Sequence, residues 1–426
     1  MNYDLLHPRD QIIAIMDRIY RREMTTVSGG NISVLDANGN IWITPKGIDK
    51  GNLKPRDIVC VHVDGSVDGP HTPSSEFQSH RMIYKIRSDV HAIVHTHSPS
   101  LMAYSISENV PDTRIHPNVH RVCGSIGFVP YALMGTRLLG ENISEVFQDG
   151  YQCVLLENHC AFCVGKNLME AFRRMEALEF CARILINANP MGGIRLLSKG
   201  QLEKYEDSEG SLSEFKVNDY TSEEHSLREK IVTIVHRAYD RYLMTASEGA
   251  VSARLSPNQF LITPQNCDRG NIGIADIVLI ENGKQEQGKV PDVSVNFHEK
   301  IYKMHPGIGC VISAQPPYAM AFAVTDVDLD TIFIPESYVI LRRIQKVGFD
   351  DHMRSNKDTA RKLSTNTPVL IIENDCVLTT GIDPIQAFDR LEVMDFTARA
   401  LIFASRIGPI KPLGDFQLRE LDRLLS

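Results

Sequence analysis

The sequence predicts an α/β protein, α+β-like in three layers, made of two tandem domains, each with a central, mostly antiparallel sheet flanked by helices. Three observations carry this expectation. Ile43-Thr44-Pro45 recurs as Ile262-Thr263-Pro264, and many other positions recur at the same offset of 219. Helix-period and strand-period patterns are mixed in each half without strict alternation. Short apolar runs end on reactive side chains, as where Ala92-Ile93-Val94 leads into His95-Thr96-His97.

The repeat sets the domain plan. Ser28-Gly29-Gly30-Asn31 falls on Ser247-Glu248-Gly249-Ala250, and Asp57-Ile58-Val59 on Asp276-Ile277-Val278. Further on, Pro73 and His80 match Pro291 and His298, and Glu157-Asn158 matches Glu373-Asn374. Such a period is far too long for a solenoid, so a globular domain is duplicated. We expect domains over 1–195 and 225–426 and a linker over 196–224. The polar run Glu206-Asp207-Ser208-Glu209-Gly210-Ser211 falls within that linker.

The elements follow in order. Ile12, Ile13, Ile15, Met16 and Ile19 fit one helix face, echoed by Ile231, Val232, Ile234, Val235 and Ala238. Gly29-Gly30 marks a turn into strands at 31–34 and 41–44. A helix runs from Glu76 to Lys85, with Ser74 or Ser75 as its N-cap. The strand ending in His95 and His97 comes next, then a strand through Val154-Leu155-Leu156 toward His159. A helix over 168–188 closes the half.

The chemistry sits on these elements. In a strand, residues i and i+2 face the same way, so His95 and His97 can grip one ion. His159 supplies a third imidazole, and three His ligands leave an open position on a tetrahedral metal, as catalytic sites require. Glu76 brings a carboxylate for proton transfer. Gly30 lets backbone amides approach an anion, and the paired hydroxyls of Ser74 and Ser75 suit a phosphate. The second copy acts as an internal control. There His95, His97 and His159 become Ser313, Gln315 and Asp375, Glu76 becomes Ser294, and Asn31 becomes Ala250. Joint loss marks them as one functional set.

Composition narrows the class. The chain has 426 residues, 43% hydrophobic and 23% charged, as in ordinary globular proteins. A net charge of −8 argues against nucleic acid or an anionic membrane as partner. Nine cysteines, an odd number spread along the chain, suit reduced thiols. No leader-like segment opens the chain and no apolar run is long enough to span a bilayer, which predicts a cytoplasmic protein.

Taken in order, Gly-Gly-Asn-Ile-Ser, Ile-Thr-Pro-Lys-Gly, Pro-Ser-Ser-Glu-Phe, Val-His-Thr-His-Ser and Glu-Asn-His resemble the class II aldolase/adducin family. The first half is most similar to its L-fuculose-1-phosphate aldolases over residues 8–190. The second half resembles the same fold over 225–410, without the active-site residues. The resemblance implies a lyase performing metal-dependent retro-aldol cleavage of a phosphorylated ketose to dihydroxyacetone phosphate and an aldehyde. It assigns His95, His97 and His159 to one zinc ion per chain, or another divalent metal, and Glu76 to the catalytic carboxylate. Gly30, Asn31, Lys46, Gly47, Ser74 and Ser75 would hold the phosphate. Two departures stand out: Cys160 where the family has Gly after the third ligand, and Lys46 where fuculose-phosphate aldolases have Thr. The family's tyrosine acid has no counterpart in His116-Pro117-Asn118-Val119-His120, leaving His116, His120 or Tyr338 of the second half. The family's fourfold rings imply that two such chains form a homodimer with pseudo-fourfold symmetry. The alternatives are a pentulose-phosphate 4-epimerase or a sugar-phosphate dehydratase on the same fold, or a non-catalytic adducin-like interaction protein. Epimerases of this kind resemble Pro-Ser-Ser-Asp at 73–76, so Glu76 favours the aldolase.

Overall fold

The computed structural model describes residues 3–206, 212–217 and 219–424. It divides into two compact units, Met1–Arg183 and Ile184–Ser426.

The first unit opens on α1 (Pro8–Arg21), with proline in the first turn where its missing N–H costs nothing. Ile12, Ile15, Met16 and Ile19 are buried, while Ile13 is only half-buried. Then come β1 (Asn31–Leu35), β2 (Ile41–Ile43), β3 (Val59–Val61), β4 (Val67–Asp68), α2 (Phe77–Ile86), β5 (Ala92–Thr96) and α3 (Pro99–Ile106). The unit continues through α4 (Pro117–Cys123), β6 (Gly127–Val129), α5 (Arg137–Gln148), β7 (Cys153–Leu156), β8 (Ala161–Gly165) and α6 (Leu168–Ala188). The sheet order is β4-β3-β2-β1-β5-β8-β7-β6, antiparallel except for the β6–β7 pair. Ile83 and Tyr84 of α2 and Ile143 and Phe147 of α5 share a core with Ile93, Val154, Phe162 and Val164 of the sheet. Each such buried side chain contributes about 1.5–3 kcal/mol. Helices α2 and α5 can approach because Gly140 has no Cβ; one there would lie 2.7 Å from Met82 Sδ.

Strand register places the reactive residues. Asn31 pairs with His95 and Ser33 with Ile93 across β1 and β5, and His95 pairs with Phe162 across β5 and β8. Directly paired residues share a sheet face. Asn31, Ser33 and His95 therefore lie on the face covered by α2.

The second unit contains α7 (Lys199–Glu206), β9 (Glu214–Phe215), α8 (Ser222–Asp240), β10 (Ala250–Ser256), β11 (Gln259–Ile262), β12 (Val278–Glu281), β13 (Lys284–Glu286), α9 (Val295–Met304) and β14 (Cys310–Ala314). It ends with α10 (Pro317–Ala323), α11 (Pro335–Leu341), β15 (Ile344–Val347), α12 (Phe349–Arg354), α13 (Asn356–Arg361), β16 (Val369–Ile372), β17 (Cys376–Gly381), α14 (Pro384–Ile407) and α15 (Asp415–Leu424). Its sheet order is β15-β16-β17-β14-β10-β11-β12-β13-β9, parallel only at the two edge pairs. Ala250 pairs with Ser313 here as Asn31 pairs with His95, so the two sheets share one register. The stretch 196–224, read as a linker, contains α7 and β9 and the start of α8. Leu197 and Leu202 pack against Phe349, and β9 pairs in parallel with β13. Residues 207–211 and 218 of that stretch lie outside the described residues. No helix among the described residues is long and apolar enough to cross a membrane.

Candidate metal centre and active site

The three histidines converge from two neighbouring strands. His95 is the penultimate residue of β5 and His97 follows the strand, while His159 sits in the tight turn between β7 and β8, entered through Asn158 at φ +54°. His97 Nε2 lies 3.0 Å from His95 Nε2 and 3.1 Å from His159 Nε2. Tetrahedral ligands about 2.0–2.1 Å from a zinc ion would stand about 3.3 Å apart. Among the described residues, this is the one cluster of three or more such side chains able to hold a metal ion. His95 Nδ1–H donates to the Ala161 carbonyl at 2.9 Å, which fixes the tautomer and turns the Nε2 lone pair toward the centre. Burial and the neighbouring imidazoles push His97 down to about 3 and His159 down to about 4. These rings are therefore neutral at pH 7, the state a metal ligand needs. The donor set fits a divalent metal of the zinc type.

Room for this cluster comes from Gly29. A Cβ there would lie 2.9 Å from His97 Nδ1. The second copy carries Glu248 at that position and Gln315 in place of His97. Gly30, at φ +64°, brings its backbone so close to β5 that a Cβ would lie 2.7 Å from the His95 carbonyl.

Glu76 stands at the N-terminus of α2 and faces the triad. Its Oε2 lies 3.2 Å from His95 Nε2 and its Oε1 3.6 Å from His159 Nε2. Burial alone would raise its pKa, but His95, His159 and the Asn31 amide outweigh this and hold it below the usual carboxylate range. Asn31 Nδ2 donates to Oε2 at 2.6 Å, whereas Oε1 is buried with no hydrogen-bond partner among the described residues. Ser74 and Ser75 are not the helix cap. Glu76 occupies that position, and its own N–H donates to Ser74 Oγ at 3.3 Å.

A set of residues to which the sequence analysis gave no role completes the site. His80 Nε2 lies 2.5 Å from Asn31 Oδ1, His80 Nδ1 lies 2.6 Å from Ser33 Oγ, and Ser33 Oγ lies 2.7 Å from Tyr84 Oη. Since Asn31 donates to Glu76, its Oδ1 accepts from His80, and His80 in turn accepts from Ser33, which accepts from Tyr84. Burial pushes His80 down to about 3, consistent with the neutral ring this order requires. Every donor in this buried chain points toward Glu76. The second copy keeps its frame: Ser252 contacts His298 at 2.8 Å and Tyr302 at 2.7 Å. There the chain ends on Ser313 Oγ, 3.0 Å from His298 Nε2.

The remaining residues are placed as follows. Asn31, expected at a phosphate, has both ends of its amide engaged by His80 and Glu76. Lys46 and Gly47 form an exposed turn, Ser74 is buried and Ser75 is exposed. Burial pushes the Cys160 thiol up to about 12, so this neighbour of His159 stays protonated and does not compete for the metal. His116 is buried at the start of α4, and His120 Nδ1 lies 2.9 Å from Thr113 Oγ1. Tyr338 lies on α11 of the second unit and donates to Asp422 at 2.9 Å.

The model of the class II aldolase and adducin N-terminal domain matches residues 10–186 and again 229–402. The chain belongs to the class II aldolase and adducin family. It is 33% identical over 203 residues to a 5-deoxy-D-ribulose 1-phosphate aldolase of Bacillus thuringiensis, covering 46% of this chain and 92% of that protein. An L-fuculose phosphate aldolase of Methanococcus maripaludis is 33% identical over 174 residues, covering 41% and 93%. A 3-oxo-tetronate 4-phosphate decarboxylase of Escherichia coli is 31% identical over 198 residues, covering 46% and 92%. These relatives are single-domain length, whereas this member of the family carries its domain twice.

Proposed function

We propose that the first unit is a metal-dependent lyase that cleaves a phosphorylated ketose by a retro-aldol reaction, giving dihydroxyacetone phosphate and an aldehyde. The observation that carries this reading is Glu76 Oε1, a buried, ionised carboxylate oxygen without a donor, at the edge of three convergent imidazoles. His95, His97 and His159 would hold one zinc ion or a similar divalent metal, which when bound supplies Lewis-acid stabilisation of the oxygen charge developed on carbon–carbon cleavage. Asn31 pins Oε2 and leaves Oε1 to carry the proton to or from carbon. The buried setting of Glu76 and His95 limits water and strengthens these interactions. Gly30, Lys46, Gly47, Ser74 and Ser75 would take the phosphate. The general acid is assigned to His116, His120 or Tyr338.

The test is product analysis with a panel of ketose phosphates, phosphorylated at either end, and 3-oxo-tetronate 4-phosphate. Dihydroxyacetone phosphate with an aldehyde supports the aldolase. Carbon dioxide release would assign the decarboxylase reaction of the E. coli relative instead, and a change of configuration without cleavage would assign the epimerase.

Metal content provides a separate check. Elemental analysis should give one divalent ion per chain, because Ser313, Gln315 and Asp375 replace the triad in the second unit. A ratio near two would sink this. We further propose a homodimer of two-domain chains, so light scattering should report about twice the 47.8 kDa chain mass; a monomer would refute it.

A further inference from the structure

The two copies differ at a buried cation. Lys50 N–H donates to the Val27 carbonyl at 2.9 Å, and Arg269 N–H donates to the Ala246 carbonyl at 3.0 Å. Ser74 N–H donates to the Thr44 carbonyl at 3.2 Å, and Asp292 N–H to the Thr263 carbonyl at 3.0 Å. Pro45 bridges Pro73 as Pro264 bridges Pro291. Lys50 thus corresponds to Arg269 and Ser74 to Asp292.

In the second copy the guanidinium satisfies itself. Arg269 Nε donates to the Gly249 carbonyl at 2.7 Å, Nη1 to the Pro264 carbonyl at 2.8 Å, and Nη2 to Asp292 Oδ2 at 3.0 Å. Gly249, Pro264 and Asp292 are the counterparts of Gly30, Pro45 and Ser74, of which Gly30 and Ser74 belong to the phosphate set of the proposed function. In the second copy an internal ion pair joins the positions of Lys50 and Ser74.

The first copy holds the cation without its counter-charge. Lys50 is 2% exposed and donates to the Pro45 carbonyl at 2.5 Å. Among the described residues no carboxylate pairs with it, and burial pushes it down to about 8. An ammonium has three donors, and one carbonyl occupies one of them. Where Asp292 neutralises the arginine, Ser74 offers only a hydroxyl. A buried cation without a counter-charge is unfavourable, and an anion is the partner that would neutralise it.

We propose that Lys50 is the counter-charge for the phosphate group of the substrate in the first unit, and that the Arg269–Asp292 pair closes the matching position in the second. The assignment to a substrate rests on the sugar-phosphate reading above, while anion binding itself does not. A clamp on the Pro45 loop is the structural alternative, and it predicts no effect on ligand binding.

Calorimetry of the metal-loaded full-length chain with glycerol 3-phosphate, with glycerol as the uncharged control, tests this. One site per chain is expected for the ester and none for glycerol. Lys50→Met, which keeps the apolar stem, should weaken binding at least about tenfold with metal content and melting temperature preserved. If that variant loses its fold or metal, Lys50→Gln decides, since it keeps an N–H donor for the Pro45 carbonyl but carries no charge. Weakened binding in folded, metal-loaded Lys50→Gln supports the proposal, and wild-type affinity in it overturns it. Wild-type affinity in Lys50→Met, two sites per chain, or no binding to the wild type also overturns it. A chain that cleaves no ketose phosphate yet binds the ester through Lys50 refutes the aldolase reading and leaves this one standing. Cleavage alongside normal binding by Lys50→Met does the reverse.

Discussion

Glu76→Gln should retain the metal and lose about 10²–10⁴-fold in turnover, the usual contribution of a positioned acid–base group. The amide is nearly isosteric and keeps an acceptor for the Asn31 N–H, 2.6 Å from Oε2 in the wild type, so the fold should survive. His97→Ala removes the imidazole that touches both other ring nitrogens, at 3.0 and 3.1 Å. Metal and activity should disappear together. Turnover assays with elemental analysis on the same preparations separate the two effects. Wild-type turnover by Glu76→Gln would remove the carboxylate from the mechanism. Full metal content in His97→Ala would break the triad assignment.

The second large effect concerns the buried donor chain. His80→Leu leaves the Asn31 carbonyl without its donor and the Ser33 hydroxyl without its acceptor, each loss costing about 1–3 kcal/mol. It also frees the Asn31 amide to turn away from Glu76, and misplacement on the scale of an ångström can cost about 10²-fold in rate. His298→Leu in the second unit breaks the equivalent contacts to Ser252 and Ser313. Its stability cost should be similar, with turnover unchanged. Thermal melts and kinetics on the two variants therefore form an internal control. If both variants lowered turnover equally, His80 would be framework only.

Much of this site was legible in the sequence because period-two spacing and the duplication both report it. His95 and His97 share a face by strand geometry, and their joint loss with His159 and Glu76 marked a functional set. The relay was not legible for a physical reason. Ser33, His80 and Tyr84 recur in both copies as Ser252, His298 and Tyr302, so the loss that marked the triad and Glu76 does not mark them. Only the register of β1 against β5 and the seating of α2 bring His80 onto Asn31. Lys50 escaped notice because the exchange of lysine for arginine looks conservative until Asp292 is seen facing it. The stretch 196–224 read as a linker because α7 is only eight residues long, too short for helical periodicity to stand out, and β9 has two.

The retained polar chain has a consequence for folding fidelity. A one-residue slip of β1 against β5 would send Asn31 and Ser33 to the opposite face of the sheet. His80, Tyr84 and Glu76 would then be sealed in the core facing hydrocarbon. The same holds for Ser252, His298 and Tyr302 in the unit without a metal triad. Apolar contacts alone penalise such a slip weakly, because residues on both faces of β1 are buried. The hydrogen-bonded serine, histidine and tyrosine thus act as a proofreading key for strand alignment, which accounts for their survival in a domain that has lost its reactive residues.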